Sequence, residues 1–323
     1  MSLVIKGTGS ALPAKVVTND EFSKIVDTSD EWIRERTGIE KRHIATGETV
    51  VSLAISAAIK ALENAKKDAD LIDLIIVASC SAEQALPCVA CQVQKHIGAA
   101  KAVAFDLNAA CSGFLFAMNL ADVYISSGVY SNALIIGAEV LSNIIDWTDR
   151  TTCVLFGDGA GAVYFEKDES AGRRPFKFIQ RSDGFKGEAL ICGQRDPANA
   201  FFRGNTISKY VTMDGREIFK FATRKVPETI LELLGSEGLN EDDIDLFLLH
   251  QANLRIIECI CRKLNADISK FPSNVQNVGN TSSASIPILI DETRRSGQLK
   301  EGMKIILSGF GAGLTYGACL MEL

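Results

Sequence analysis

The chain repeats itself, and that repetition restricts its fold more than any single motif does. "DLIIV" at 73–77 matches "DLFLL" at 245–249, an offset of 172. "LIIG" at 134–137 matches "IILS" at 305–308 at an offset of 171, and the turn carrying Cys111 matches "NVGNTSSAS" around Asn280 at an offset of 169. Three landmarks at nearly one offset point to a duplicated unit. The runs "LIDLIIVAS" (71–79), "AVAFDL" (102–107) and "ALIIGAE" (133–139) are short and apolar, as buried parallel strands are. Helical patterns lie between and around them at 52–67, 88–98 and 113–128. Such alternation makes the chain α/β. The reading is two similar halves, residues 1–170 and 171–323, joined across the polar stretch "KDESAGRRP" (167–175).

Composition excludes several roles. Forty acidic against 34 basic side chains leave a net charge of -6, which argues against general affinity for nucleic acid. An acidic partner would have to be met by a local basic patch. Nine cysteines form an odd set without framework spacing, which suits reduced thiols in a cytosol. The opening "MSLVIKGTGS" lacks a signal-peptide core, and no apolar run nears the ~20 residues of a membrane span, so a cytoplasmic protein is expected. Cys88 and Cys91 have CxxC spacing but no second pair, so no metal is expected there. Each of the pairs Cys88–Cys91 and Cys259–Cys261 is expected on one face of a buried helix. "GDGAGA" resembles a dinucleotide fingerprint, but the strand-like "VYFE" follows it where a helix is required, so it reads as a packing turn.

Ligands in α/β sheets sit outside the carboxyl ends of strands. Cys111, His250 and Asn280 each follow a predicted strand. An unperturbed thiol, with a pKa of ~8.5, is mostly protonated at neutral pH, and a helix N-terminus favours its anion. Cys111 stands just ahead of "GFLFAMNLADVYISS", among small residues that leave room for a substrate. His250 closes a strand before a helix expected near Ala252. Of the other two histidines, His43 reads as a surface turn and His96 as a helix C-terminal residue. Asn280 alone reads as an N-cap of the helix holding Pro287. Together with Cys111 and His250 it points to catalysis. "TSDEWIRER" reads as a capping box, Thr28 with Glu31, starting a helix that puts Trp32 and Arg36 on one face.

The motifs "AACSGF", "HQANLRI" and "NVGNTSSASIP", in this order, resemble those of β-ketoacyl-acyl carrier protein synthase III, a condensing enzyme of the thiolase superfamily. "FGDGAGA" (156–162), "MDGREIFKFA" (213–222) and "GFGAGLTYG" (309–317) also match, so the resemblance runs the whole length. It implies a thiolase-like fold of five layers, α-β-α-β-α. It implies that an acyl-CoA acylates Cys111, and that malonyl-acyl carrier protein then loses carbon dioxide and attacks the acyl-enzyme. His250 and Asn280 would stabilise the enolate, and the backbone N–H groups of Cys111 and Ala312 the acyl oxyanion. Relatives often have glycine at the position of Ala312.

By the same resemblance Thr28, Trp32, Arg36 and Arg150 would hold coenzyme A, with Asn253 on the pantetheine arm. Arg216, Lys220 and Arg255 would dock the carrier protein. Leu86, where relatives selective for short primers have phenylalanine, would enter the partner subunit's acyl pocket in a homodimer and admit branched or longer primers. No cofactor is implied beyond the coenzyme A thioester itself. The rivals that keep Cys, His and Asn are a secondary-metabolite ketosynthase III or acyltransferase and a polyketide-starting enzyme. A pocket-shaping partner subunit is the non-enzyme alternative.

Overall fold

The computed structural model describes residues 2–168, 176–193, 201 and 208–323. Most of the expected boundary stretch, residues 169–175, lies outside the described residues, and with it the 170/171 division. The principal strands are β1 (Ser2–Ala11), β2 (Leu74–Ala78), β3 (Val103–Leu107), β4 (Asn132–Glu139), β5 (Gly159–Asp168), β6 (Lys177–Ser182), β7 (Leu246–Leu249), β8 (Lys304–Gly311) and β9 (Thr315–Glu322). The longer helices are α1 (Asp30–Thr37), α2 (Val50–Ala65), α3 (Val89–Ile97), α4 (Gly113–Ser126), α5 (Gly215–Ser236), α6 (Leu254–Leu264) and α7 (Ser285–Arg295).

One sheet runs β1-β5-β4-β2-β3 and the other β7-β8-β9-β6. In the first, three parallel strands (β3, β2 and β4), and in the second, two (β7 and β8), are extended by antiparallel partners. α2 and α3 cover the outer face of the first sheet, α5 and α6 that of the second, and α4 and α7 lie between the sheets. The order is therefore α-β-α-β-α, as expected. Three apolar cores separate these layers: Phe114, Met118 and Ile290 are buried between the sheets, Ala57 and Val93 under the first outer helices, and Phe247 and Ile260 under the second.

The repeat is sharper in three dimensions than in the string. Leu74 and Leu246, Asn132 and Lys304, Ala110 and Ser282, and Gly113 and Ser285 begin corresponding elements, and each pair differs by 172. The sequence match that set Cys111 against Asn280 is corrected accordingly. Asn280 corresponds to Asn108, and Cys111 to Ser283. The physical reason is a shared turn: Asn108 Oδ1 accepts the Ala110 N–H at 3.1 Å, and Asn280 Oδ1 accepts the Ser282 N–H at 2.9 Å. Each side chain holds the residue two ahead at positive φ, 46° for Ala110 and 50° for Ser282.

Other expectations need correction too. β3 is an edge strand, half exposed, with Val103 at 46%. His43 belongs to a short strand, Lys41–His43, with Nδ1 2.7 Å from the Pro13 carbonyl. The cap of α1 is Ser29, extended and accepting the Trp32 N–H at 3.1 Å, so Thr28 sits one residue outside the helix. Cys261 is buried on α6 while Cys259 is half-buried, because residues two apart on a helix cannot share a face. "GDGAGA" is a packing turn only in its first two residues, Gly157 and Asp158, since Gly159–Ala162 already belong to a strand. It leads into β5, and Asp158 accepts bonds from the Ala45 and Ser142 N–H groups.

Candidate active site

Cys111 sits in a single 3₁₀ turn, Ala110–Ser112, that feeds directly into α4. The turn is clamped from the other half. A Cβ on Gly311, at the end of β8, would lie 2.7 Å from the Cys111 nitrogen, so only glycine lets that strand close on the nucleophile. Thr315 Oγ1 lies 3.0 Å from the carbonyls of both Ala109 and Ala312, tying the Ala312 loop to the same turn. The thiol is not a resting anion. Burial first, with the charge of Glu139 behind it, pushes Cys111 up to about 12 against a hydrogen bond from the Ser282 side chain. The helix start is where the sequence put it, but desolvation outweighs it in the resting site.

His250 follows β7, is 2% exposed, and donates its backbone N–H to Ser308 at 2.8 Å. Its Nδ1 meets Ser285 Oγ at 2.6 Å, and its ring packs edge-on against Phe310 at 5.2 Å. Burial drives its pKa down to about 3, so the imidazole is neutral at physiological pH. α6 begins at Leu254 with Asn253 as cap, two residues beyond the expected start. Asn280 is fixed by backbone bonds to Leu155 and Gly157 and by the Ser282 N–H on its Oδ1. That leaves the Nδ2 hydrogens as the free end of its amide. Asn280 therefore caps a turn rather than the helix holding Pro287, which starts at Ser285.

All three residues line one cavity of about 530 Å³. Cys111, His250 and Asn280 form its buried end, while Trp32, Arg36, Asn253, Arg216 and Arg255 also line it, the arginines being exposed. Arg36 and Arg150 flank the Trp32 ring, with guanidinium carbons 5.8 and 5.5 Å from its centroid. Arg150 also donates to the Asp27 carbonyl at 2.8 Å. The Asn253 amide bonds the Arg255 N–H and the Arg36 carbonyl, joining the two sides of the mouth. Among the described residues Arg36, Arg216, Lys220 and Arg255 take part in no ion pair.

Five expected residues fall outside the cavity lining: Thr28, Arg150, Lys220, Ala312 and Leu86. The Thr28 hydroxyl is buried without a hydrogen-bond partner, and Lys220 is exposed one turn beyond Arg216 on α5. Ala312 follows the lining residue Gly311. Leu86 is 84% exposed. Sequence reasoning missed Phe310, Ser282, Ser285 and Glu139. The acid ending the apolar run "ALIIGAE" was the available signal for Glu139. Among the described residues no cluster of three or more metal-ligating side chains occurs, and no helix is long and apolar enough to cross a membrane.

Residues 105–184 match the family profile of 3-oxoacyl-[acyl-carrier-protein (ACP)] synthase III, and residues 234–323 that of its C-terminal part. The beta-ketoacyl-[acyl-carrier-protein] synthase III of Clostridium acetobutylicum is 48% identical, over 99% of this chain and 98% of its own. The crystal structure of 3-oxoacyl-[acyl-carrier-protein] synthase III from Aquifex aeolicus superposes with a TM-score of 0.93 at 42% identity, covering 100% of both chains. The priming β-ketosynthase of the R1128 polyketide pathway superposes with a TM-score of 0.91 at 33% identity, over 99% of this chain and 96% of its own.

Proposed function

The chain belongs to the 3-oxoacyl-[acyl-carrier-protein] synthase III family, and from that premise we propose how it condenses an acyl-CoA primer with malonyl-acyl carrier protein to begin a fatty acid. The supporting observation is one cavity lined by Cys111, a neutral His250 and an Asn280 whose amide hydrogens are free.

In the first half-reaction the Cys111 sulfur attacks the thioester carbonyl. The thiol proton passes to Nε2 of His250 and on to the departing coenzyme A sulfur, so a neutral thiol replaces a neutral thiol. The N–H groups of Cys111 and Ala312 receive the oxyanion. A covalent thioester stores the acyl group until the second substrate arrives. Malonyl-acyl carrier protein then loses its carboxylate as carbon dioxide, and the electron pair moves into an enolate. His250 and Asn280 hydrogen-bond the enolate oxygen. The α-carbon attacks the acyl carbonyl, the tetrahedral adduct expels the Cys111 thiolate, and that thiolate takes up one proton. Ser285 Oγ can donate to Nδ1 or accept from it, so one imidazole serves as acceptor in the first step and donor in the second.

Trp32, between Arg36 and Arg150, suits an adenine with its phosphates. The unpartnered Thr28 hydroxyl is close enough in sequence to join them. Asn253 would meet the pantetheine arm, and Arg216, Lys220 and Arg255 give an acidic chain a cationic face for an acidic carrier. An 84% exposed leucine at 86 suits insertion into a second copy, making the enzyme a homodimer. The reading places it in the cytoplasm, without a dissociable cofactor. Asn280→Ala tests it. The variant should still gain one acyl group from acyl-CoA, but condensation should fall ~100–1,000-fold for the loss of one oxyanion donor. Normal condensation by Asn280→Ala would remove the role given to that side chain.

A further inference from the structure

The repeat brings a second, filled counterpart of the nucleophile turn into view. Ser283 corresponds to Cys111, and Glu139 corresponds to Gly311. Where Gly311 has no side chain and closes on Cys111, Glu139 extends a carboxylate to the Ser283 hydroxyl at 2.7 Å. Glu139 is fully buried. It also accepts the Cys80 N–H at 3.1 Å and the hydroxyls of Ser79 and Ser81, all on the loop after β2. One carboxylate thereby joins a loop of the first half to a turn of the second.

We propose that Glu139 is a positioning residue for the condensing half-reaction: through Ser283 it holds the turn that aims Asn280. The chain of contacts is short. Glu139 binds Ser283, the neighbouring Ser282 is held at φ 50°, and the Ser282 N–H fixes the Asn280 amide. A non-glycine residue in that conformation is strained and persists only where its surroundings over-determine it. Those surroundings are the Ser283 hydroxyl, set between the Glu139 carboxylate at 2.7 Å and the Ala78 carbonyl at 2.8 Å, and the Ser282 N–H bond to Asn280. The backbone of Cys111 is held by Gly311, Asn108 and Thr315, whereas its sulfur also meets the Ser282 side chain and the charge of Glu139. The backbone around the sulfur and the amide of Asn280 therefore rest on different contacts. The inference rests on the reading of Asn280 as enolate donor.

The full-length variants Glu139→Gln and Ser283→Ala test it. Acylation is followed by intact mass with acyl-CoA, and condensation by product release with malonyl-acyl carrier protein. Ser283→Ala should acylate within about threefold of the unmodified chain and Glu139→Gln at least as fast, its thiol being more readily ionised, while in both kcat for condensation falls about tenfold or more and KM for the malonyl carrier stays level, as for loss of a charge-assisted hydrogen bond. Glu139→Gln should also move the pH profile of Cys111 alkylation by iodoacetamide to lower pH, because it removes a negative charge from the thiol's surroundings. The charge that reaches that sulfur comes from Glu139, with the Cys80 thiol of the loop after β2 beside it and neutral His250, after β7, on the same cavity, and only Glu139 changes. Ser283→Ala keeps the charge and should leave that profile in place. Should Glu139→Gln fail to fold, Ser283→Ala decides alone. Equal losses in both half-reactions, or none in either, would overturn the proposal. Failure of the unmodified chain to acylate at all would instead overturn the parent reading.

Discussion

At the scale of single residues, burial sets the protonation states. Cys111 and His250 stand at rest as thiol and imidazole rather than as an ion pair, since burial raises the one to about 12 and lowers the other to about 3. The cost of keeping the imidazole neutral is visible in stability. The unfolded imidazole takes a proton below its ordinary 6.5, whereas the folded one does so only near 3. Between those values the unfolded state binds more protons, so stability falls with falling pH by up to ~1.4 kcal/mol per unit. Urea unfolding at pH 7 and pH 5 should show this loss, and His250→Gln should show a slope shallower by about that amount. An identical slope in the variant would mean that the ring is already charged in the folded state. The nucleophile and the histidine were legible in the string because each follows an apolar run, whereas Asn280 follows a short helix, Val275–Val278, rather than the expected strand, and was legible only through its motif. Their protonation was not, because it depends on desolvation by residues far away in sequence.

At the scale of elements, strands and helices came through within a few residues, because buried runs and helical periods are local signals. What failed needed three-dimensional information. Apolar content does not say which strand is an edge, so β3 read as buried. Both Thr28 and Ser29 can cap a helix, and only backbone conformation chooses Ser29. The repeat at Asn280 slipped by three residues because two asparagine turns look alike only once Asn108 is seen to fold the same way. The packing of β8 on the nucleophile turn yields a prediction of its own. In Gly311→Ala the new Cβ meets backbone at 2.7 Å and the Cys111 Cβ at 2.9 Å, with no flexible side chain to yield. Overpacking of this kind should cost ~1–3 kcal/mol of stability. Acylation measured by mass should fall tenfold or more in a protein that still melts cooperatively. Unchanged acylation would show that the strand end does not set the position of the sulfur.

At the scale of the whole molecule, duplication explains why the site has two unlike ends. One half supplies the sulfur and the other the imidazole and amide, so neither half is complete alone. The five layers follow from this, since α4 and α7 must carry both turns into the space between the sheets. Leu86 is exposed and outside the cavity of its own chain, and the proposed dimer is what would give it a role. Leu86→Phe should therefore favour short primers. In a competition among acyl-CoAs, the ratio of kcat/KM for branched over acetyl primers should drop by roughly tenfold or more, the scale of a methylene or two in a pocket. An unchanged ratio would separate Leu86 from the acyl site. The central claim is that Cys111 carries the acyl group between two substrates. Its most direct test is a pulse and chase followed by peptide mass. Labelled acyl-CoA should place one acyl group on the peptide holding Cys111, and malonyl-acyl carrier protein should remove it as a β-ketoacyl product, whereas unloaded carrier should not. Label on another cysteine, or label on Cys111 that the malonyl carrier leaves in place, would contradict the account.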